Sequence, residues 1–453
     1  MTTGHVDSDV AIVGAGATGL TAAWDLVRAG HGVTVLEARD RVGGRLWTNH
    51  IDGQLLEVGG QWVSPDQHAL LAMLDELGLE TYERYRTGSS VYIGPGGVPA
   101  RFTGDIFPAA DATRAEIERL IGVIDGLTSE IDASAPWSHP RAREFDTISF
   151  SAWLESESSD SEARANIALY IAEAMLTKPA HSFSLLQALL MAASAGSFAH
   201  LVDADYILDR RVIGGLQSVP LELARRLGDS VHLGEPVLAI DWTQAGAMVR
   251  TATTTVKARR VLVATPPNLH ERIAYRPSLP RLRRQLDQHL SLGLVIKVHA
   301  TYDTPFWRED GLSGTAFSPW QVVHEAYDNT NHGEEQGTLV GIVSDEKADA
   351  VFAETPERRR RVILESLAAY FGPKALEPRV YYESDWAAEE WTGGAYAASF
   401  DLGGLTRFGP HQLDPVGPIR FASSDLAGLG YQHVDGAIRM GHDAAAAIIH
   451  SLD

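Results

Sequence analysis

The sequence contains no cysteine. Disulfides, a thiolate nucleophile, an iron–sulfur cluster and a thioether-linked cofactor are therefore excluded. Long apolar runs are missing as well, and none reaches the length that spans a bilayer. Positive charge is scarce: 38 Lys and Arg stand against 59 Asp and Glu, for a formal net charge of -21. Such a chain repels nucleic acid and draws cations wherever its charge is focused in a cleft, although charge by itself points first to solubility alone. No basic patch or internal repeat argues for a scaffold or a nucleic-acid binder. The N-terminus, MTTGHVDSDV, is polar and acidic and lacks the apolar core of a secretory signal. A cytoplasmic protein with no membrane, nucleic-acid or metal partner is expected.

What the chain does have is length and ordinary globular composition. Its 453 residues are 45% hydrophobic and 21% charged, enough for at least two sizeable cores. DVAIVGAGATGLTAAWDLVRAGHGVTVLEARD reads as a strand at Val10–Val13, a Gly-rich turn, a helix carrying Leu20, Ala23, Trp24 and Val27, and a second strand at Val33–Leu36. After Pro108 an amphipathic helix places Ile117, Leu120, Ile121, Ile124 and Leu127 on one face. FSAWLES opens another helix, and residues 163–198 are helical again. The SESSDSEA run reads as a solvated loop or helix surface. Short β runs return over 205–290, and longer ones, LGLVIKVHATY, PWQVVHEAY and TLVGIV, follow over 291–345. The helix PERRRRVILESLAAYF then leads to a Gly-rich close. The texture alternates in a way that predicts two domains interleaved in sequence, with residues 1–84, 205–290 and 388–453 in one and 85–204 and 291–387 in the other.

Gly14, Gly16 and Gly19 form G-x-G-x-x-G between a strand and a helix. Glycines there permit a tight turn and close approach of a pyrophosphate to backbone N–H groups at a helix N-terminus. Glu37 ends the second strand, where a carboxylate can accept hydrogen bonds from a ribose. In this setting the glycines indicate a dinucleotide site rather than a structural turn. Two further doublets, Gly43–Gly44 before Arg45 and Gly59–Gly60 in EVGGQWV, suit a cofactor larger than NAD lying along extended backbone.

These motifs resemble the flavin-containing amine oxidase family, of the monoamine oxidase and polyamine oxidase type, in which E-A-R-x-R-x-G-G-R follows the first fingerprint. The likeness continues through VIGGLQSVP, GEPVLAIDW, VLVATPP, LGLVIKVHATYDTPFW, DWAAEEWTGGAY and FASSDLAGLGYQHVDGAIRMG, in the family's order. It implies α/β and α+β architecture: a Rossmann-like FAD domain and a substrate domain of mixed β-sheet plus helices. FAD contacts are implied for Gly14, Gly16, Ala17, Gly19, Glu37, Ala38, Arg39, Gly43, Gly44 and Arg45. Further contacts are implied for Gly59, Gly60, Gln61, Trp62, Val237, Thr265, Trp386 and Trp391. The C-terminal segments add Ala395, Tyr396, Ser424, Asp425 and Val434. A helix beginning at Asp435–Gly436–Ala437 would aim its N-terminus at the flavin and stabilise the reduced ring. The C-terminal membrane helix of the family's mitochondrial members is not expected here, and a homodimer is expected.

In monoamine oxidases the motif S-G-G-C-Y carries the flavin on its cysteine. Here WTGGAYAASF has Ala395 at that place, so FAD is expected to be held noncovalently. Gly393 and Gly394 would admit the flavin ring. Tyr396 takes the place of one wall of the family's aromatic cage. His433 is expected opposite it, with Tyr431 an alternative, and Gln432 beside them is expected to contact substrate. Lys297 lies in an apolar strand, where a lone lysine ordinarily points to water. The resemblance implies instead a role near flavin N5, through a water, in the reaction with oxygen.

Alternation along PWQVVHEAYDN would put Val323, Glu325 and Tyr327 on one strand face and Val322, His324 and Ala326 on the other. A carboxylate among apolar neighbours suits a cation, although a solvent-facing glutamate is the alternative. Glu325 is thus the candidate partner for the distal ammonium of a diamine. The expected reaction is oxidative deamination of a short aliphatic diamine, putrescine favoured, to an aminoaldehyde, ammonia and hydrogen peroxide, with hydride passing to flavin N5 and oxygen as acceptor. Monoamine or polyamine oxidation is the alternative within the family. More distant readings are a desaturase for apolar substrates and a non-catalytic flavin-binding protein.

Overall fold

A computed structural model of the chain describes residues 4–452. The first strand outruns its apolar stretch and spans Gly4–Val13, because its polar N-terminal half pairs in parallel with Thr254–Val263, from Gly4 opposite Thr254 to Val13 opposite Val263. Val33–Leu36 flanks it on the other side, also parallel, as expected. Val10, Ala11, Ile12, Val35, Val261 and Leu262 are all fully buried, as in a sheet covered on both faces. The sheet has eight strands. Val231–His232 lies beyond Val33–Leu36, and Gly246–Arg250, Ala239–Thr243 and Ala274–Arg276 extend the opposite side. Ile419–Phe421 pairs with Val261–Val263 in parallel.

Helix Ala17–Arg28 buries Leu20, Ala22, Ala23 and Leu26. The last helix, Val434–Leu452, crosses it closely: a Cβ on Gly441 would meet the Thr18 carbonyl oxygen at 2.7 Å. The first and last helices of the sequence are thus packed together.

A second sheet of seven strands runs in the order Val380–Glu383, Val295–Tyr302, Gly337–Ser344, Glu325–Asp328, Leu312–Phe317, Ser89–Ile93 and Pro99–Phe102. One of its faces builds a separate core with helix Pro356–Phe371, using Ile296, Val298, Trp307, Ala326 and Val343. Phe317, Tyr327, Val340 and Ile342 belong to the main core. The helix after Pro108 spans Asp111–Thr128 and buries Ile117, Leu120 and Ile124, leaving Ile121 and Leu127 half-buried. The Ala/Leu-rich stretch divides into helix Ser161–Ala168, a π-helical run Leu169–Leu176 and helix Leu185–Ser194. A two-stranded ribbon, Leu290–Leu292 with Ala398–Phe400, straddles the division expected at residue 290.

Two local expectations are corrected. PWQVVHEAY is not one strand: residues 318–324 turn, and the strand begins at Glu325. Val323 consequently packs in the separate core beneath Pro356–Phe371, on the opposite side from Glu325 and Tyr327. The SESSDSEA run is not merely solvated. Ser158 is buried, and Asp160 caps helix Ser161–Ala168 by accepting from the N–H groups of Glu162 and Ala163 at 2.9 and 3.0 Å. Among the described residues no helix is long and apolar enough to cross a membrane, and no cluster of candidate metal ligands occurs.

Candidate active site

One large cavity, about 2240 Å³ including its open mouth, runs from the Gly-rich turn to the inner face of the second sheet. At its first end Glu37 closes the turn. Its Oε2 accepts from the Ala15 N–H at 2.7 Å and its Oε1 from the Arg39 N–H at 3.1 Å. The Gly43 N–H donates to the Ala15 carbonyl at 2.9 Å, which lays the Gly43–Gly44 doublet along the G-x-G-x-x-G turn. Arg39 is tied to Glu389 and to Thr392, so the cavity wall is joined to residues 350 and 353 positions away. Arg45 does the same on the other side. Its guanidinium donates to the Tyr396 carbonyl at 2.9 Å, to Ser424 Oγ at 3.1 Å and to both carboxylate oxygens of Asp425, at 3.0 and 2.5 Å. Burial alone would raise the Asp425 carboxyl, but Arg45 and the Ala398 N–H hold it below the ordinary range.

The glycines of the turn divide by what surrounds them. A Cβ on Gly19 would lie 2.0 Å from the Gly14 carbonyl oxygen, so that glycine serves the packing of helix on strand. A Cβ on Gly59 would lie 2.1 Å from the Arg45 carbonyl oxygen, another protein–protein approach. Gly16, at φ -77°, is different, since a Cβ there would meet nothing within 4 Å. Its missing side chain leaves room in the cavity itself. Buried polar atoms on the cavity-lining residues Trp62 (Nε1), Thr265 (Oγ1) and Gln432 (Oε1) also have no hydrogen-bond partner among the described residues. An open cradle at a helix N-terminus with unused donors and acceptors along its length fits a flavin dinucleotide.

Nearly every expected cofactor residue lines this cavity, namely Gly14, Gly16, Ala17, Glu37, Ala38, Arg39, Gly43, Gly44, Arg45, Gly59, Gly60, Gln61, Trp62, Val237, Thr265, Trp386, Trp391, Ala395, Tyr396, Ser424 and Val434. Gly19 and Asp425 do not. Gly19 is covered by Gly14 and Ala264, and Asp425 lies behind Arg45. Gly393 and Gly394 also stay off the cavity wall, contrary to expectation. Gly394 has φ +146°, and a Cβ on it would strike Leu292 Cβ at 2.6 Å and the Gly293 oxygen at 2.9 Å. The close approach that this glycine permits is to the protein's own backbone.

Lys297, Tyr396, Gln432, His433 and Glu325 line the same cavity. Lys297 is buried and donates to the carbonyls of Glu57 and Gly59 at 2.7 and 2.8 Å and to Gln61 Oε1, with the Trp62 ring centroid 5.2 Å away. Burial pushes its ammonium down to about 7. Three acceptors nevertheless match the three N–H groups of the charged form, and a neutral amine would turn its lone pair on one of them. His433 Nδ1 lies 2.9 Å from the Tyr431 carbonyl, leaving the rest of the ring to the cavity. Tyr431 itself is not on the wall, because its hydroxyl donates to the Ala398 carbonyl at 3.0 Å.

Glu325 is 5% exposed. Burial pushes its carboxyl up to about 8, against the hydroxyl of Tyr327, which donates to Oε2 at 2.8 Å. Strand alternation assigns Tyr327 a face but no task, and no motif in the sequence points to Tyr170, Phe317 or Met175, which line the cavity with Glu325. Tyr170 and Met175 sit in an Ala/Leu-rich helical stretch whose pattern says only that it is buried. Thr177 was missed too: its hydroxyl donates to the Ala395 carbonyl at 2.6 Å and so holds the backbone behind Tyr396. No pattern around Thr177 announces that contact.

Comparison with known proteins agrees with this geometry. The family model described as flavin containing amine oxidoreductase matches residues 17–449. Putrescine oxidase of Kocuria rosea is 59% identical, over 98% of this chain and 95% of its own length. A solved structure of putrescine oxidase, wild type bound to putrescine, superposes with a TM-score of 0.98 at 61% identity, over 99% of this chain and 100% of that one. Cyclohexylamine oxidase from Brevibacterium oxydans IH-35A superposes with a TM-score of 0.94 at 29% identity, over 98% and 99% of the two chains. The chain belongs to the flavin-containing amine oxidoreductase family.

Proposed function

We propose that this family member oxidatively deaminates a short aliphatic diamine, putrescine before others, to an aminoaldehyde, ammonia and hydrogen peroxide. The observation that carries the reading is Glu325, a buried carboxyl on the wall of the cavity with no cation within hydrogen-bonding reach among the described residues. The cavity residues would hold FAD noncovalently, since Ala395 has no atom to bond it, and the chemistry such a flavin would supply is acceptance of a hydride from the carbon beside the amine, with oxygen as the final acceptor.

The chain's residues do the rest. Glu325 fixes the distal ammonium, and in doing so it selects substrates by length and by charge. Tyr396 and His433 bracket the other amine. That amine must be neutral to react, and for an alkylamine with pKa ~10.4 losing the proton at pH 7 costs about 4 to 5 kcal/mol. Walls such as Tyr170, Phe317 and Tyr396 lower this cost by disfavouring the cation. Lys297, through Glu57, Gly59 and Gln61, fixes the second glycine doublet against the cavity and keeps a positive charge there. Arg45 locks Tyr396 to Ser424 and Asp425, so the amine-binding wall cannot drift from the dinucleotide cradle.

The test is peroxide release from putrescine and from butylamine by wild type and Glu325→Gln. Leaving one member of a buried charge pair alone costs about 2 to 5 kcal/mol, so kcat/KM for putrescine should fall at least about 30-fold. Butylamine, which has no distal charge, should lose less than about 3-fold. Equal losses on both amines would remove Glu325 from this role.

A further inference from the structure

Glu325 does not stand alone against the core. Its Oε1 faces His324 Nε2 at 3.8 Å, and on the other side of the same imidazole Nδ1 faces Glu173 Oε2 at 3.7 Å. Glu173 Oε2 in turn accepts from Lys347 Nζ at 2.7 Å. The imidazole is fully buried, and neither ring nitrogen has a hydrogen-bond partner among the described residues. Both gaps are too long for a direct hydrogen bond and too short to seat a bridging water. The backbone around the ring is pinned. The His324 N–H donates to the Ile342 carbonyl at 3.0 Å and its carbonyl accepts from Ser318 at 2.8 Å, while Ser366 and Tyr370 clamp Val323 at 3.0 and 2.8 Å. Only the side chain can turn, and turning closes one gap as it opens the other.

The remaining titratable groups facing Glu325 are the phenols of Tyr170, Tyr327, Tyr370 and Tyr396, all kept protonated by burial. The ring itself is held neutral by burial and by the nearby Lys347 cation. It therefore has one N–H and one lone pair, as a proton relay needs. Beyond it, the side chains of Glu173 and Lys347 are 22% and 26% exposed and reach solvent.

We propose that His324 is a positioning residue that accepts the proton Glu325 sheds when a diamine binds and delivers one to Glu173. The Glu325 O–H bond breaks as an Nε2–H bond forms. The Nδ1–H bond breaks as a proton joins Glu173 Oε2, and Glu173 releases it to water. No electrons move, and the ring returns by exchanging tautomers. The inference rests on the diamine reading above, because only a distal ammonium requires the Glu325 carboxylate.

Holoenzyme is mixed without oxygen, in weak buffer at pH 7 with a pH indicator, against putrescine and against butylamine. Beyond the proton that either amine sheds on becoming neutral, wild type should show an additional proton-release phase with putrescine that butylamine does not produce, and Glu325→Gln should lack it. His324→Gln and Glu173→Gln should retain its amplitude and slow it by at least about ten-fold. A phase of unchanged rate in both variants overturns the relay, as does an equal slowing of proton release with butylamine. A putrescine-specific phase that survives in Glu325→Gln overturns the diamine reading instead, and its absence from wild type overturns both. Should His324→Gln fail to fold, Glu173→Gln, on a partly exposed side chain, decides alone.

Discussion

Glu325 holds a proton through most of the neutral range in the ligand-free protein, since burial pushes its carboxyl up to about 8. An unfolded glutamate titrates near 4.3. Below that value both states are neutral and the group costs nothing. Between the two values only the folded state binds the proton, so stability falls as pH rises, and above 8 the full penalty is in place. Glu325→Gln has no such titration. Its melting temperature without diamine should exceed that of wild type by an amount that grows from pH 5 to pH 8 and then levels, the stability difference reaching up to about 5 kcal/mol. A difference that stays flat over this range, measured by calorimetry, would show that the carboxyl is not held neutral. Lys297 contrasts with it: its burial is answered by three carbonyl oxygens, whereas Glu325 receives one phenol and an imidazole that stops short.

The turn between strand Gly4–Val13 and helix Ala17–Arg28 lets space for a ligand be separated from space for the fold. Gly16→Ala meets no protein atom and has an ordinary φ, so the apoprotein should melt within about 1 °C of wild type, given a propensity effect below ~1 kcal/mol. Its FAD affinity should nevertheless fall, by about ten-fold or more, because the methyl enters the cradle. Gly19→Ala puts a Cβ 2.0 Å from the Gly14 oxygen and should damage stability and cofactor content together. Equilibrium dialysis of FAD beside thermal melts of the apoproteins separates the two cases. An unchanged FAD affinity in Gly16→Ala would contradict the cradle. This unit was legible in the sequence, since strand, turn, helix and acid are neighbours in the chain and their chemistry is local. What stayed hidden depends on partners far away. PWQVVHEAY alternates like a strand, yet it turns until Glu325 because Val323 is drawn into the core under Pro356–Phe371. Gly394 looked like a berth for a flat ring, and its neighbour proved to be Leu292, a hundred residues upstream. Between His433 and Tyr431 the sequence leaves the choice open; the structure lines the cavity with His433 and turns the Tyr431 hydroxyl to the Ala398 carbonyl.

The whole molecule carries a net charge of -21, and the proposed diamine approaches it from solution as a dication. Attraction at that range is screened within about 10 Å at 0.1 M salt. Raising sodium chloride from about 0.05 to 0.5 M should therefore lower kcat/KM for putrescine several-fold, mainly through KM, and affect butylamine less. Equal salt effects on the two amines would assign no steering to the molecular field. The cavity wall is also assembled from both ends of the sequence. Strand Ile419–Phe421, the Ser424 and Asp425 partners of Arg45, and helix Val434–Leu452 against Ala17–Arg28 all come late in the chain. During translation the first fingerprint leaves the ribosome hundreds of residues before the pieces that close it. Cofactor loading should then wait for synthesis to finish. A chain stopped at residue 415 in a cell-free system supplied with FAD should emerge from gel filtration without flavin, whereas the full-length product should retain it.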